Sequence, residues 1–173
     1  MKNILIIVDM QKDFVDGALG TKEAVAIVPN VCEYINQFDG DIFVTLDTHY
    51  DGYMNTSEGK NLPVPHCIKG TEGHKLDENV LNALGNKSFE YIEKITFGSI
   101  DLPEILKAKY GDDFTVTLLG LCTDICVISN ALILKANFPE NEISVVENCC
   151  AGVTPEKHNC AIETMKSCQI KVI

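Results

Sequence analysis

The sequence predicts a three-layer α/β/α fold, with a six-stranded, mostly parallel sheet and helices on both faces. Two observations carry this. Six apolar runs of strand length alternate with stretches of helical period across the 173 residues, the pattern of a parallel sheet joined by crossover helices. The first run, NILIIVD (3–9), is continuously apolar up to its last residue, as expected of a strand covered on both faces. No repeat, low-complexity tract or interdomain linker interrupts the pattern, so residues 1–173 read as one domain.

The elements follow in order. After the first strand, Val25, Ile27, Val28, Val31, Ile35 and Phe38 are spaced to form a helix over 23–37. DIFVTLD (41–47) is the second buried strand. Residues 48–74 are rich in Gly, Pro, Asn and Thr and read as a long irregular loop, a feature that in compact domains usually carries function. A short helix over 76–85 ends at a glycine, FEYIEK (89–94) is the third strand, and a helix over 102–110 has proline near its start. FTVTLLG (114–120) is the fourth strand, followed by a helix over 123–137 and a fifth strand, EISVVE (142–147). Thr154-Pro155 opens a helix over 154–168 as a cap and first-turn pair, and QIKVI closes the chain as the sixth strand.

Ligands of such sheets bind outside the carboxyl ends of the strands. Those ends hold Asp9, the Asp47-Thr48-His49 run, Lys94, and the segment from Gly120 through Cys122 to Cys126. A carboxylate, an ammonium, a thiol and a possible pair of metal ligands therefore converge on one edge. Cys126 lies in the first turn of a helix, where unpaired N–H groups and the dipole favour a thiolate. A buried small hydrophobe is the alternative for either cysteine. Asp9 at the end of an apolar run is costly unless paired, and capping a turn would also explain it. Gln11 and Asp13 read as surface or capping residues. Asp47 and His49 lie on one face of an extended strand end, and His66 can fold back from the loop. One carboxylate and two imidazoles suit Zn²⁺, Fe²⁺ or Mn²⁺, although loop histidines are also common as plain polar surface. His74 and His158 read as surface or packing residues, and Cys67 as loop packing.

Composition narrows the function. With 46% hydrophobic residues and a mean hydropathy of +0.07, the chain is expected to be globular. MKNILIIVDMQKDF meets a charge too soon for a secretory signal, and no run approaches the roughly 18 apolar residues of a membrane helix. A cytoplasmic protein without membrane partners is expected. A net charge of −11 and a pI near 4.7 argue against nucleic acid as a partner. All 14 basic residues are lysine, so the guanidinium fork that usually grips carboxylate or phosphate is missing. A neutral or weakly charged small molecule is the expected substrate. The eight cysteines include no CxxC pair, and in a reducing compartment they are expected as free thiols.

The segments IIVDMQKDF, EKITFGS and GLCTDICV, in this order and spread over essentially the whole chain, resemble the isochorismatase-like cysteine hydrolase superfamily, whose fold is Rossmann-like. The resemblance implies an Asp9–Lys94–Cys126 triad. In it Cys126 attacks a carbonyl carbon to form a thioester, Asp9 moves the proton, and Lys94 keeps the site polarised. It also implies a non-proline cis peptide at Leu121–Cys122, aiming the amides of Cys122 and Cys126 into an oxyanion hole. The stretch from Asp47-x-His49 to PHCIKGTEG is similar to the nicotinamidase/pyrazinamidase branch. That likeness implies a divalent metal, zinc first, with iron and manganese as alternatives, held by Asp47, His49 and His66. It further implies hydrolysis of nicotinamide to nicotinate and ammonia, and assembly into homodimers or tetramers. Phe14, Leu121 and Tyr50 are the expected pocket residues. The tryptophan usual in that branch before the third metal ligand is absent, and Leu62, Pro63 and Val64 fill the stretch. Two other readings stand beside this one: a superfamily hydrolase acting on another small amide, a carbamoyl compound or isochorismate, and a non-enzymatic flavodoxin-like binding domain.

Overall fold

The computed structural model describes residues 1–173. β1 (Lys2–Val8) leads through a single turn, α1 (Lys12–Val15), to α2 (Lys22–Gln37) and β2 (Asp41–Asp47). The long connection that follows holds α3 (Ser57–Asn61) and then α4 (Glu78–Leu84) before β3 (Phe89–Lys94). α5 (Leu102–Tyr110) leads to β4 (Phe114–Leu121), and a π-helical turn at Thr123–Val127 runs into α6 (Ile128–Asn137). β5 (Ile143–Ala151), α7 (Pro155–Ser167) and β6 (Lys171–Val172) complete the chain. The six strands form one sheet in the order β3-β2-β1-β4-β5-β6, and every neighbouring pair is parallel.

This order explains the apolar runs. β1 is central, and Leu5, Ile6, Ile7 and Val8 are completely buried. The chain builds outward from β1 to β3, then returns to β4 on the other side of β1. With right-handed crossovers, the helices of the two directions fall on opposite faces. α2 buries Ala24, Ile27, Val28, Val31 and Ile35 as one stripe. Its start is fixed by Thr21, whose hydroxyl accepts the Ala24 N–H at 3.0 Å. Thr154 caps α7 in the same way, accepting the Lys157 N–H at 3.3 Å, with Pro155 in the first turn as the sequence predicts. No helix is long and apolar enough to cross a membrane.

Strand order reverses between β1 and β4, which opens a crevice at their carboxyl ends. Register then brings distant residues to that edge. Val8 is the partner of both Thr45 and Gly120, and Asp47 is the partner of Lys94.

Three elements differ from the sequence expectation. β5 runs on to Ala151, because its register against β4 shifts between Leu118 and Gly120, whose partners are Val145 and Cys150. The exposed Glu147 and Asn148 sit in that irregular stretch and hide the continuation from a hydropathy pattern. The helix expected from residue 123 opens instead with the π turn, a local widening often found at functional sites. The 48–74 segment is less irregular than its composition suggests, since Thr56 caps α3 by accepting the Gly59 N–H at 2.9 Å.

Gly120 is required where β4 meets β1. Its φ is +122°, and a Cβ there would lie 2.1 Å from the Val8 carbonyl oxygen. Gly120→Ala is therefore expected to cost about 3 kcal/mol or more of stability. Urea unfolding checks this, and a loss under about 1 kcal/mol would refute the close-approach argument.

Candidate active site and metal centre

Asp9 directly follows β1 with φ +47°, a left-handed conformation that is unusual for a non-glycine residue. The turn aims a fully buried carboxylate into the crevice. Thr45 on β2 holds it, the hydroxyl donating to Asp9 Oδ1 at 2.6 Å. Lys94 at the end of β3 reaches over β2, placing Nζ 2.6 Å from Asp9 Oδ2, 3.7 Å from Asp47 Oδ1 and 3.6 Å from Cys126 Sγ. Burial opposes charge on Lys94, but Asp9, Cys126 and Asp47 outweigh it and hold the ammonium above its ordinary range. Burial pushes the Cys126 thiol well above its usual range, and the Asp9 carboxylate adds to the rise. The lowering expected from a helix N-terminus does not prevail, because the sulfur is enclosed beside a carboxylate. Asp9 is itself raised by burial, with Lys94 pulling the other way. The Cys126 sulfur, the Asp9 carboxyl group and the Lys94 ammonium are thus gathered in one buried group, with a candidate proton acceptor beside the sulfur. The Leu121–Cys122 peptide is cis, and the Cys122 N–H makes no hydrogen bond within the protein.

The second cluster lies on the other side of Asp47. Ligand atoms of Asp47, His49, Glu58 and His66 all lie within 4.8 Å of one another. His49 Nε2 is buried and makes no hydrogen bond, although Asp47 Oδ2 is 2.9 Å away. His66 Nε2 is 3.5 Å from both Asp47 Oδ2 and Glu58 Oε1, while its Nδ1 sits 2.8 Å from the Val64 carbonyl. That carbonyl fixes the tautomer and leaves Nε2 free to act as a ligand. An orphaned imidazole nitrogen facing two carboxylates and a second imidazole fits a divalent cation. Burial works against charge on the histidines, yet the adjacent Asp47 and Glu58 carboxylates push His49 up to about 9 and His66 up to about 10. For Glu58 burial works upward, but the two histidines hold it down at about 2.

A model of the isochorismatase domain matches residues 3–173. The chain belongs to the isochorismatase family. It is 33% identical over 144 residues to the isochorismatase family protein PncA of Bacillus subtilis (strain 168), a match covering 76% of this chain and 78% of that one. Among solved structures, nicotinamidase/pyrazinamidase PncA from Bacillus subtilis superposes with a TM-score of 0.86 at 27% identity, covering 99% of each chain. Pyrazinamidase of Pyrococcus horikoshii in complex with zinc gives 0.81 at 29% identity, covering 100% of this chain and 99% of that one. These likenesses place the protein among the hydrolases of the family, in the nicotinamidase/pyrazinamidase branch, and set aside a non-enzymatic flavodoxin-like domain.

In this hydrolase Cys126 of the first group and Asp47, Glu58 and His66 of the second line one cavity of about 290 Å³, with Cys122, Thr21 and Lys157 also on its polar side, whereas the buried Asp9, Lys94 and His49 do not line it. Phe14 and Leu121 line it as the sequence suggests, together with Leu19, Leu62, Phe97 and Ile125. Tyr50 corrects the expectation. It is 56% exposed and borders a separate outer groove, because the chain turns away from the cavity after His49. Tyr53 is the tyrosine turned inward, its ring 4.7 Å from that of His49 and its hydroxyl donating to the Leu62 carbonyl.

The sequence reading missed three contributors. Glu58 is brought in by α3, which composition does not reveal. Phe97 follows Lys94 on the β3–α5 loop. Gln11, read as a surface or capping residue, is fully buried. Its amide donates to the Asp47 and His74 carbonyls and accepts the Asp47 N–H at 2.8 Å, which fixes the backbone of a candidate metal ligand. Asp13 is a local anchor, accepting the Cys67 and Ala18 N–H groups. Cys67, His74 and His158 serve packing as expected, the two imidazoles meeting the Thr48 and Thr123 hydroxyls.

Two outcomes are expected for this cluster. Glu58→Gln should weaken Zn²⁺ binding about tenfold or more by removing a charged oxygen donor, as read by competition with a chromophoric chelator. An unchanged affinity would exclude Glu58 as a ligand. The imidazoles carry protons below their raised values of about 9 and 10, and a cation must displace them. Zn²⁺ affinity should therefore fall by about ten- to hundredfold per pH unit between pH 8 and 6. A flat profile would contradict this.

Proposed function

We propose that the protein is a metal-containing cysteine amidase that hydrolyses nicotinamide to nicotinate and ammonia. The observation that carries this reading is the single cavity lined both by Cys126, which Lys94 and Asp9 back, and by Asp47, Glu58 and His66 of the four-residue cluster. A neutral ring amide suits an apolar-walled space of about 290 Å³, close to the lower end of the range for small-molecule sites. Phe14 and Phe97 supply aromatic wall where the chain has no tryptophan.

In the reaction, Asp9 takes the thiol proton as Cys126 Sγ bonds to the amide carbon. The carbonyl electrons shift to oxygen, which the N–H groups of Cys122 and Cys126 receive. As the carbonyl re-forms, the C–N bond breaks and Asp9 returns its proton to the departing ammonia, leaving a thioester. Water then adds to the thioester with Asp9 as base. Collapse releases nicotinate, and the proton returns to the sulfur. Lys94 stays charged throughout and offsets the negative charge passing between Asp9 and Cys126. Asp47, His49, Glu58 and His66 would hold a divalent cation, zinc first, which supplies Lewis acidity for a ring nitrogen or water. The carboxylates and imidazoles themselves orient the polar end of the substrate.

The test is ammonia release from nicotinamide by protein treated with EDTA, then resupplied with Zn²⁺, Fe²⁺ or Mn²⁺. Metal-dependent turnover on the order of 1–10³ s⁻¹ is expected. No release with any metal would remove nicotinamide and turn attention to other small amides, with Leu62 in place of a ring-stacking tryptophan as the cause. Cys126→Ala should abolish turnover, whereas Cys122→Ala, which keeps the backbone N–H, should retain most of it. Full activity in both variants would refute the thioester route.

A further inference from the structure

The turn bearing Cys126 and the loop bearing Phe97 leave different strands, and one buried side chain joins them. Asn130 lies on α6 one turn beyond Cys126 and is completely buried. Its Nδ2 donates to the Cys126 carbonyl at 2.8 Å and toward the Phe97 carbonyl at 3.4 Å. Its Oδ1 accepts the Ser99 N–H at 2.9 Å. Ser99 is also buried, and its hydroxyl accepts the Leu102 N–H at the start of α5. Asparagine is a poor residue for a helix interior, and burying a carboxamide is costly unless its hydrogen bonds are made. Here both ends are partnered, and every partner lies on one of the two segments that shape the cavity.

We propose that Asn130 is a positioning residue that sets the nucleophile turn against the aromatic wall of the cavity. It touches no reacting atom and acts through Cys126 and Phe97. The inference rests on the reading of Cys126 as the nucleophile. It has two separable arms. The arm to the Cys126 carbonyl runs along the helix to the residue one turn back, a bond that a threonine hydroxyl can also make. The arm to Ser99 and Phe97 crosses to another segment, and a threonine is too short to reach it.

Asn130→Ala, Asn130→Thr and Phe97→Ala, with the Asn130→Thr/Phe97→Ala double variant, test this. The readouts are kcat and KM for nicotinamide, the rate at which iodoacetamide alkylates Cys126 (followed by mass spectrometry), and melting temperature. Asn130→Ala is expected to lower kcat about tenfold, raise KM about fivefold and shift the alkylation rate about fivefold or more. Asn130→Thr should restore kcat and the alkylation rate to within about twofold of the unaltered protein, yet keep the raised KM. In the Phe97→Ala background it should raise KM no further, since the two residues act through one contact. If Asn130→Ala does not fold, Asn130→Thr decides alone. A raised KM with normal alkylation supports the proposal, and an unchanged KM overturns it. Variants that only lose thermal stability, with kcat, KM and alkylation all unchanged, also overturn it. If the unaltered protein releases no ammonia from nicotinamide, that substrate falls. The alkylation rates then decide for Asn130: a shift in the alanine variant reversed by threonine supports it, and no shift overturns it.

Discussion

The Lys94 ammonium is the constraint around which the site is built. It is buried with Asp9, Asp47 and Cys126 all within 3.7 Å of Nζ. An ammonium removed from water survives only with such company. The strand order supplies it, because β3, β2, β1 and β4 are neighbours in that sequence across the sheet. Each contributes one group at its carboxyl end: Lys94, Asp47, Asp9 and, after the turn, Cys126. Strands pack about 4.8 Å apart, so a group starting on β3 must span β2 to meet a carboxylate on β1. A lysine stem has that length and a short side chain does not. The parallel order, the buried run of β1 and the close approach at Gly120 can all be understood as what brings these four groups together.

Much of this could be read from the chain. Asp9 and Lys94 stand out because each ends a strand, and strand ends follow from hydropathy. Cys126 stands out because the turn after β4 must lie beside them in a parallel sheet. The candidate metal ligands Asp47 and His49 are readable for the same reason. Glu58 and Phe97 were not, because their positions depend on how the long loop and the β3–α5 loop fold back, which leaves no periodic mark. Gln11 and Asn130 were hidden for a different reason. Each is a buried amide with backbone partners far away in sequence, Asp47 and His74 for Gln11 and Phe97 and Ser99 for Asn130, so no local pattern betrays it. Tyr50 shows the reverse error. Proximity to His49 in sequence suggested proximity in space, but the chain reverses after His49 and carries the ring outward.

Asp47 makes the two clusters one electrostatic unit. Gln11 holds its backbone, Oδ1 faces Lys94, and Oδ2 faces His49 and His66. Burial raises Asp9 and the Asp47 charge adds to that rise, so it works against ionisation of the candidate base. A cation bound beside Oδ2 would draw that charge toward itself and relieve Asp9. Positive charge on His49 and His66, which the carboxylates hold above their ordinary range against burial, acts on Asp47 in the same sense. Charge placed at the four-residue cluster is therefore felt, through Asp47, at the Asp9 carboxyl group. The two motifs are separate in sequence, but through Asp47 neither can be tuned without the other.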